Sequence, residues 1–167
     1  MKRLTYAIVA AGALLAAGTT RASTGGGSPP PTLDCTQAVA SLGVIWPPNH
    51  TFVPVTIWGV TTDPSLGSVS INININIDAI HQDEPVDALG SGNTAPDGKG
   101  VGTNTAYVRA ERSGPGTGRL YSIDFTATDG MGYTCSGVVQ VQVPHDQGQG
   151  FIPIDTGQWY DSTQVPP

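Results

Sequence analysis

The sequence predicts an all-β protein made of short antiparallel strands arranged as a sandwich or barrel, and three observations predict it. Short stretches alternate apolar and polar residues with period two, and Gly, Pro, Asn and Asp separate them. The 167 residues include 22 Gly and 14 Pro, well above ordinary usage, and only 12% of the chain is charged. Past residue 22 there is no block of Ala, Leu, Glu, Lys and Arg with helical spacing. The length suits one domain.

The elements follow in order. Lys2 and Arg3 precede a short Ala-rich apolar run, Leu4 to Gly18, and Thr20-Arg21-Ala22 sets small residues around a cut before Ser23. This is the three-part pattern of a secretory signal peptide over residues 1–22. The run is shorter than the roughly 20 residues of a membrane helix, so no membrane span is expected. Residues 23–33, opening with STGGGSPPP, read as a flexible linker. The domain itself is expected over 34–147, followed by a tail over 148–167. Loss of Lys2, Arg3 and Arg21 with the signal leaves four basic against 13 acidic residues, a net charge of −9 in place of −6. A chain this acidic offers little to a phosphate backbone and excludes a nucleic-acid partner. It attracts cations.

Seven strands are expected. The first, over 36–45, is the weakest. The second, over 51–61, sets Val53, Val55 and Ile57 against Thr56 and Trp58. The third, over 68–80, is the clearest: Val69, Ile71, Ile73, Ile75 and Ile77 alternate with Ser70, Asn72, Asn74 and Asn76, giving one aliphatic and one amide face. A short fourth is placed at 84–88 and a fifth at 103–112. The sixth, over 119–128, puts Tyr121, Ile123, Phe125 and Ala127 on one face. The seventh, over 135–144, turns Val139, Val141 and Val143 inward against Gln140 and Gln142. Cys35 and Cys135 are the only cysteines. In an exported chain such a pair reads as one disulfide closing a loop of about 100 residues, with two buried thiols as the alternative. First and last strands of a seven-strand sandwich can run parallel, which brings the two cysteines to one pole.

Six stretches carry a resemblance: Trp46-Pro47-Pro48-Asn49-His50, Asp83-Glu84-Pro85-Val86, Thr94-Ala95-Pro96-Asp97, Arg109-Ala110-Glu111-Arg112-Ser113-Gly114, Phe125 to Gly130, and Val143-Pro144-His145-Asp146-Gln147. In this order they resemble a family of bacterial exported immunoglobulin-like domains, and Phe125 to Cys135 is similar to the last strands of hyalin-repeat and cadherin-like domains. The resemblance spans roughly Cys35 to Gln147. It implies an immunoglobulin-like antiparallel β-sandwich of about seven strands and names no reaction.

The alternation also sorts the loops. The turn at 47–50, the corner at 81–84, the turn at 111–118 and the segment after residue 144 share one pole, which collects His50, His81, His145, Asp83, Glu84, Glu111, Arg112 and Asp146. Asp34, Asp63, Asp97 and Asp129 are placed at the opposite pole, beside the disulfide. Cadherin-like domains bind calcium at the first kind of pole. The resemblance puts Asn49, Glu111 and Asp146 in analogous positions, and Asp83 and Glu84 are needed to approach calcium's six to eight oxygens. His50, His81, Arg112 and His145 are the candidate ligand-binding side chains. The plainer reading is a hydrogen-bonded polar cap that shapes the turns. Three histidines and a carboxylate also match a zinc site in composition.

There is no Gly-x-Ser-x-Gly elbow, His-Glu-x-x-His pair or Cys-x-x-Cys pair. Phe151, Ile152, Trp159 and Tyr160 suggest that the tail docks along the sheet. The expected function is therefore a secreted, non-catalytic binding, adhesion or envelope module with a protein or carbohydrate partner, possessing no certain cofactor, calcium being the one implied. The alternative is a small exported metal-dependent hydrolase using the His/carboxylate pole.

Overall fold

The computed structural model describes residues 33–62, 72–87, 89–148 and 155–166. The expected signal peptide, the linker up to residue 32, Val69 and Ile71 of the third expected strand, and Phe151 and Ile152 of the tail lie outside the described residues. In chain order the strands are β1 (Leu33–Asp34), β2 (Val39–Ala40), β3 (Phe52–Val55), β4 (Ile57–Trp58), β5 (Thr61–Thr62), β6 (Asn74–Gln82), β7 (Gly98–Lys99), β8 (Ala106–Arg109), β9 (Gly118–Thr128), β10 (Thr134–Pro144) and β11 (Tyr160–Asp161). No helix occurs among the described residues. The sheets are open: β10-β9-β6-β11 and β3-β8-β7, with β1-β5 and β2-β4 as two-stranded ribbons. The all-β expectation holds: the sixth and seventh expected strands form whole as β9 and β10, the second divides into β3, β4 and β5, and the first and fifth are shorter than expected.

Alternation becomes burial most cleanly in β9, where Tyr121, Ile123, Phe125 and Ala127 are at most 1% exposed. On β10, Val139, Val141 and Val143 are buried against the same core, as expected. Ile77 and Ile80 of β6, Val55 of β3 and Ala106 and Val108 of β8 complete it. Burial of each of the larger apolar side chains is worth roughly 1.5–3 kcal/mol. In β6 the phase slips once. Ile77 pairs with Phe125 and Ala79 with Asp124, so Asp78 is an extra residue in a β-bulge. The slip lets Ile77 and Ile80, three positions apart, both face the core. It also turns Gln82 inward and carries β6 two residues past its expected end.

One expectation about the chain path needs correction. No strand forms over 84–87. Asp83 and Glu84 bend the chain with both side chains buried, Pro85 lacks an N–H, and Asp87 has φ 61°. The return pass is β7 instead, antiparallel to β8. Parity is kept, so Cys35 and Cys135 do meet: they form a disulfide with Cα atoms 5.8 Å apart and a sequence separation of 100. The expected parallel contact of first and last strands exists as a bridge between Val44 and Gln142. Ile45 N–H donates to the Gln142 carbonyl, and Gln142 N–H to the Gly43 carbonyl, each at 2.9 Å.

The C-terminal segment docks. β11 pairs with the end of β6, Tyr160 opposite Gln82 and Asp161 opposite His81. Ser162 N–H then donates to the Ile80 carbonyl at 2.9 Å, while the Ser162 carbonyl accepts from Asp97 and Gly98 N–H at 2.8 and 2.7 Å. A Cβ on Gly98 would stand 2.8 Å from Ser162 Cβ, so glycine is what admits this close approach. Residues 160–162 thus join the four-stranded sheet to the start of β7.

Candidate functional site

Arg119 lies in β9 two residues before Tyr121, so period-two geometry points it at the core. Its side chain is fully buried. Nε donates to Glu84 Oε2 at 3.0 Å, and Nη1 donates to Asp97 Oδ2 at 2.8 Å and to the Tyr121 hydroxyl at 3.1 Å. Nη2 faces Glu111 Oε1 at 3.8 Å. One guanidinium therefore sits among carboxylates from the bend after β6, the residue before β7 and the residues after β8.

A second layer fixes those carboxylates. Gln82 Nε2 donates to Asp97 Oδ2 and to the Glu84 carbonyl, both at 2.9 Å. Arg109 Nε lies 3.4 Å from Asp97 Oδ1. Its other nitrogens donate to the carbonyls of His50 at 2.9 Å and Pro96 at 2.7 Å. The Tyr121 hydroxyl donates onward to the Arg109 carbonyl at 2.9 Å. Glu111 faces inward because Glu111 N–H turns back to the Arg109 carbonyl at 2.8 Å, a three-residue turn that buries Ala110 and Glu111 in succession. Glu111 Oε2 accepts from the Thr94 hydroxyl and lies 3.0 Å from His50 Nδ1. His50 has φ 63°, a conformation uncommon outside glycine, and its backbone N–H is held by the Ala110 carbonyl at 2.9 Å.

Burial pushes the Glu84 and Asp97 carboxyls above their ordinary pKa range, against the pull of Arg119. Burial also raises Asp83, whose Oδ1 accepts from Leu120 N–H at 2.8 Å. Burial opposes the charge of Arg119 too, but Tyr121, Asp97 and Glu84 around it outweigh that and hold it above its ordinary value. The cluster is a buried ion network whose members are costly to leave unpaired.

The expected pole residues divide. Asp83, Glu84 and Glu111 are buried in or beside the network. Asn49 closes its own turn, its Oδ1 accepting from Thr51 N–H at 3.1 Å and the Thr51 hydroxyl at 2.7 Å. Asp146 is exposed, accepts from Gly148 N–H at 2.8 Å and has its pKa lowered by the His145 contact at 3.3 Å. Arg112 Nη2 donates to the His145 carbonyl at 3.0 Å, tying the exits of β8 and β10. The three histidines take three different carboxylates: His50 takes Glu111, His145 takes Asp146, and His81 takes Asp124 at 3.1 Å. His81 is not in the corner where it was expected. It stands within the longer β6, stacked on Trp159 with ring centroids 4.6 Å apart. Among the described residues, no three His, Cys, Asp or Glu side chains gather as a metal-holding group.

Asp97 was expected at the opposite pole and is instead in the network. The return pass begins at β7, so the residue just before it lies at the pole where β6 ends. The sequence does not mark Arg119 or Gln82 as site residues, and it places Arg109 and Thr94 only within the stretches that carry the resemblance. Arg119 carried a signal, its phase with Tyr121. Gln82 became inward-facing only through the bulge. No family model, curated protein or solved structure matches the chain.

Proposed function

We propose that the protein is an exported, non-catalytic immunoglobulin-like module for binding, adhesion or envelope structure, in which Arg119 gathers carboxylates from three loops at the pole where the resemblance implies calcium. The single observation that carries this is the Arg119 network. Glu84, Asp97 and Glu111 come from three separate loops, face one guanidinium, and lie within four of the six stretches that carry the resemblance once His50 and Thr94 are counted.

The sandwich reading is supported by strand order. β10-β9-β6 corresponds to the G-F-C sheet of an immunoglobulin-like sandwich, and β3-β8-β7 to its B-E-D sheet. The first strand divides between the sheets, with β2 on β4 and Val44 beside Gln142. Export is supported by the signal-peptide pattern, and the disulfide suits an oxidising compartment. Loops held this firmly can present a fixed surface to a protein or carbohydrate partner.

Thermal melts of the mature chain with calcium, zinc and EDTA test the reading. A midpoint unmoved by calcium or EDTA is expected. A calcium-specific rise would transfer the pole's stability to a metal. A zinc-specific rise accompanied by hydrolysis that EDTA abolishes would replace the module with a metal-dependent hydrolase.

A further inference from the structure

Next to the network lies a cleft of about 390 Å³ between the Asp83–Pro85 bend, the Ser113–Gly118 loop and β11. Pro85, Pro115 and Tyr160 supply its apolar walls, and Asp83 and Glu84 also line it. These two adjacent acids are 5% and 8% exposed. Each spends one oxygen on the fold. Asp83 Oδ1 accepts from Leu120 N–H, and Glu84 Oε2 from Ser113 N–H and Arg119 Nε. Each has a second oxygen, Asp83 Oδ2 and Glu84 Oε1, that is buried with no hydrogen-bond partner among the described residues. Seven other buried side-chain atoms among the described residues also lack a partner, Asp97 Oδ1 and Glu111 Oε1 among them, but Asp83 and Glu84 are the two carboxylates of this set that line the cleft, where a donor from outside can reach them.

The chain does not supply that donor from its described cations. Arg109 Nε, Arg112 Nε and Arg119 Nη2 are buried without a hydrogen-bond partner among the described residues, but none of them bonds to Asp83 Oδ2 or Glu84 Oε1, and Lys99 lies over the Phe52 ring at 4.3 Å. A divalent metal fits poorly. Calcium takes six to eight oxygens, and no third His, Cys, Asp or Glu stands with these two as a metal-holding group among the described residues. An organic cation fits better. Its methylenes can lie on the prolines, its charge can meet the Tyr160 ring and both carboxylates, and the acidic chain favours its approach.

We propose that this cleft receives the ammonium or guanidinium end of a lysine or arginine side chain presented by a partner protein. The proposal rests on the reading of the molecule as a binding module and names the chemistry it recognises. Glu84 Oε1 lies beneath Gly116, where a Cβ would come within 2.5 Å of it. The glycine therefore lets the loop pass close over the oxygen at the edge of the cleft.

The test is a titration of the mature, disulfide-intact chain with butylguanidinium and butylammonium, followed by backbone amide NMR. Butanol and calcium chloride serve as controls. Saturable shifts at millimolar probe are expected in the amides of residues 83, 84, 113, 114, 116–118 and 156–160, with butanol and calcium leaving them in place. Asp83→Asn keeps the acceptor for Leu120 and is expected to weaken binding at least tenfold. Tyr160→Leu removes the ring without touching a buried charge and is also expected to weaken it, so the outcome does not hang on one variant folding. No saturable shift, an equal response to butanol, or the same shifts with calcium alone would overturn the proposal. If the melts stay insensitive to calcium, such a failure removes the cleft's role alone. A calcium-dependent melt would sink the broader reading by itself.

Discussion

Replacing Arg119 with Met removes a guanidinium that faces Glu84, Asp97 and Glu111 and donates to the Tyr121 hydroxyl. Methionine is close in length and fills much of the volume, so the loss is mainly electrostatic. Three acids are then left in an interior where Glu84 Oε2 keeps the Ser113 N–H, Asp97 Oδ2 keeps Gln82, and Glu111 keeps Thr94 and His50. Removing one partner of a buried ion pair costs about 3–5 kcal/mol. A domain of this size has roughly 5–15 kcal/mol in total. At about 2–4 °C per kcal/mol, the midpoint should fall by roughly 6–20 °C. Urea unfolding followed by tryptophan fluorescence and circular dichroism measures the loss directly.

The variant also makes a sharper prediction. The uncompensated acids can be relieved by protonation, so the deficit relative to wild type should shrink between pH 8 and pH 5. Arg119→Lys keeps the charge but loses the planar fork that reaches several acceptors at once, and should fall between wild type and Met. A loss below about 1 kcal/mol, well under the range for a broken buried pair, would refute the reasoning. So would a deficit that does not change with pH.

Two further outcomes follow from the same structure. Burial raises the pKa values of Asp83, Glu84 and Asp97 above ordinary values of 3.8, 4.5 and 3.8, so the folded state binds their protons more tightly and stability from these groups grows as pH falls from neutral toward those values. Asp34, Asp146 and Asp161 are lowered from 3.8, and what they contribute is lost below it, so a scan of midpoint against pH should peak between about 4 and 5; a midpoint that falls steadily from pH 7 to pH 4.5 would contradict the burial of the three acids. Removing the disulfide with Cys35→Ala and Cys135→Ala opens a 100-residue loop and should cost up to about 4–5 kcal/mol in urea unfolding, while alkylation of unreduced native protein should add no mass.

The sequence made the interior strands legible because they are long and their alternation is unbroken. Tyr121 to Ala127 and Val139 to Val143 could be assigned to the core residue by residue. The cysteine pair could be matched because two parallel strand starts leave them one pole to share. What escaped were the places where alternation fails for a local reason. The bulge at Asp78 swaps the face of everything after it, and a reader counting by twos from Ile77 sends Gln82 outward. The three-residue turn at Arg109–Glu111 buries two consecutive positions. The return strand is only Gly98–Lys99, too short for any periodicity, so Asp97 was carried to the wrong end of the molecule. Arg119 was in phase with Tyr121 throughout. It went unread because an arginine at a core position looks like an error until its acids are known to arrive from three other segments.

An internal cation changes what the pole can respond to. A metal-bridged pole gains stability with the logarithm of free metal concentration, and so reports on the medium around it. A guanidinium is tethered at fixed stoichiometry and stays charged at any physiological pH. The groups that can change state are then the buried carboxyls of Asp83, Glu84 and Asp97, raised by burial, so acidity rather than metal supply should govern how firmly the loops are held. Arg119 leaves Asp97 Oδ1 and Glu111 Oε1 unmatched inside the network, and the orphaned oxygens of Asp83 and Glu84 unmatched beside it. The latter two lie at the network's margin, next to the cleft, where a donor brought by another molecule can complete what the chain's own arginine does not reach.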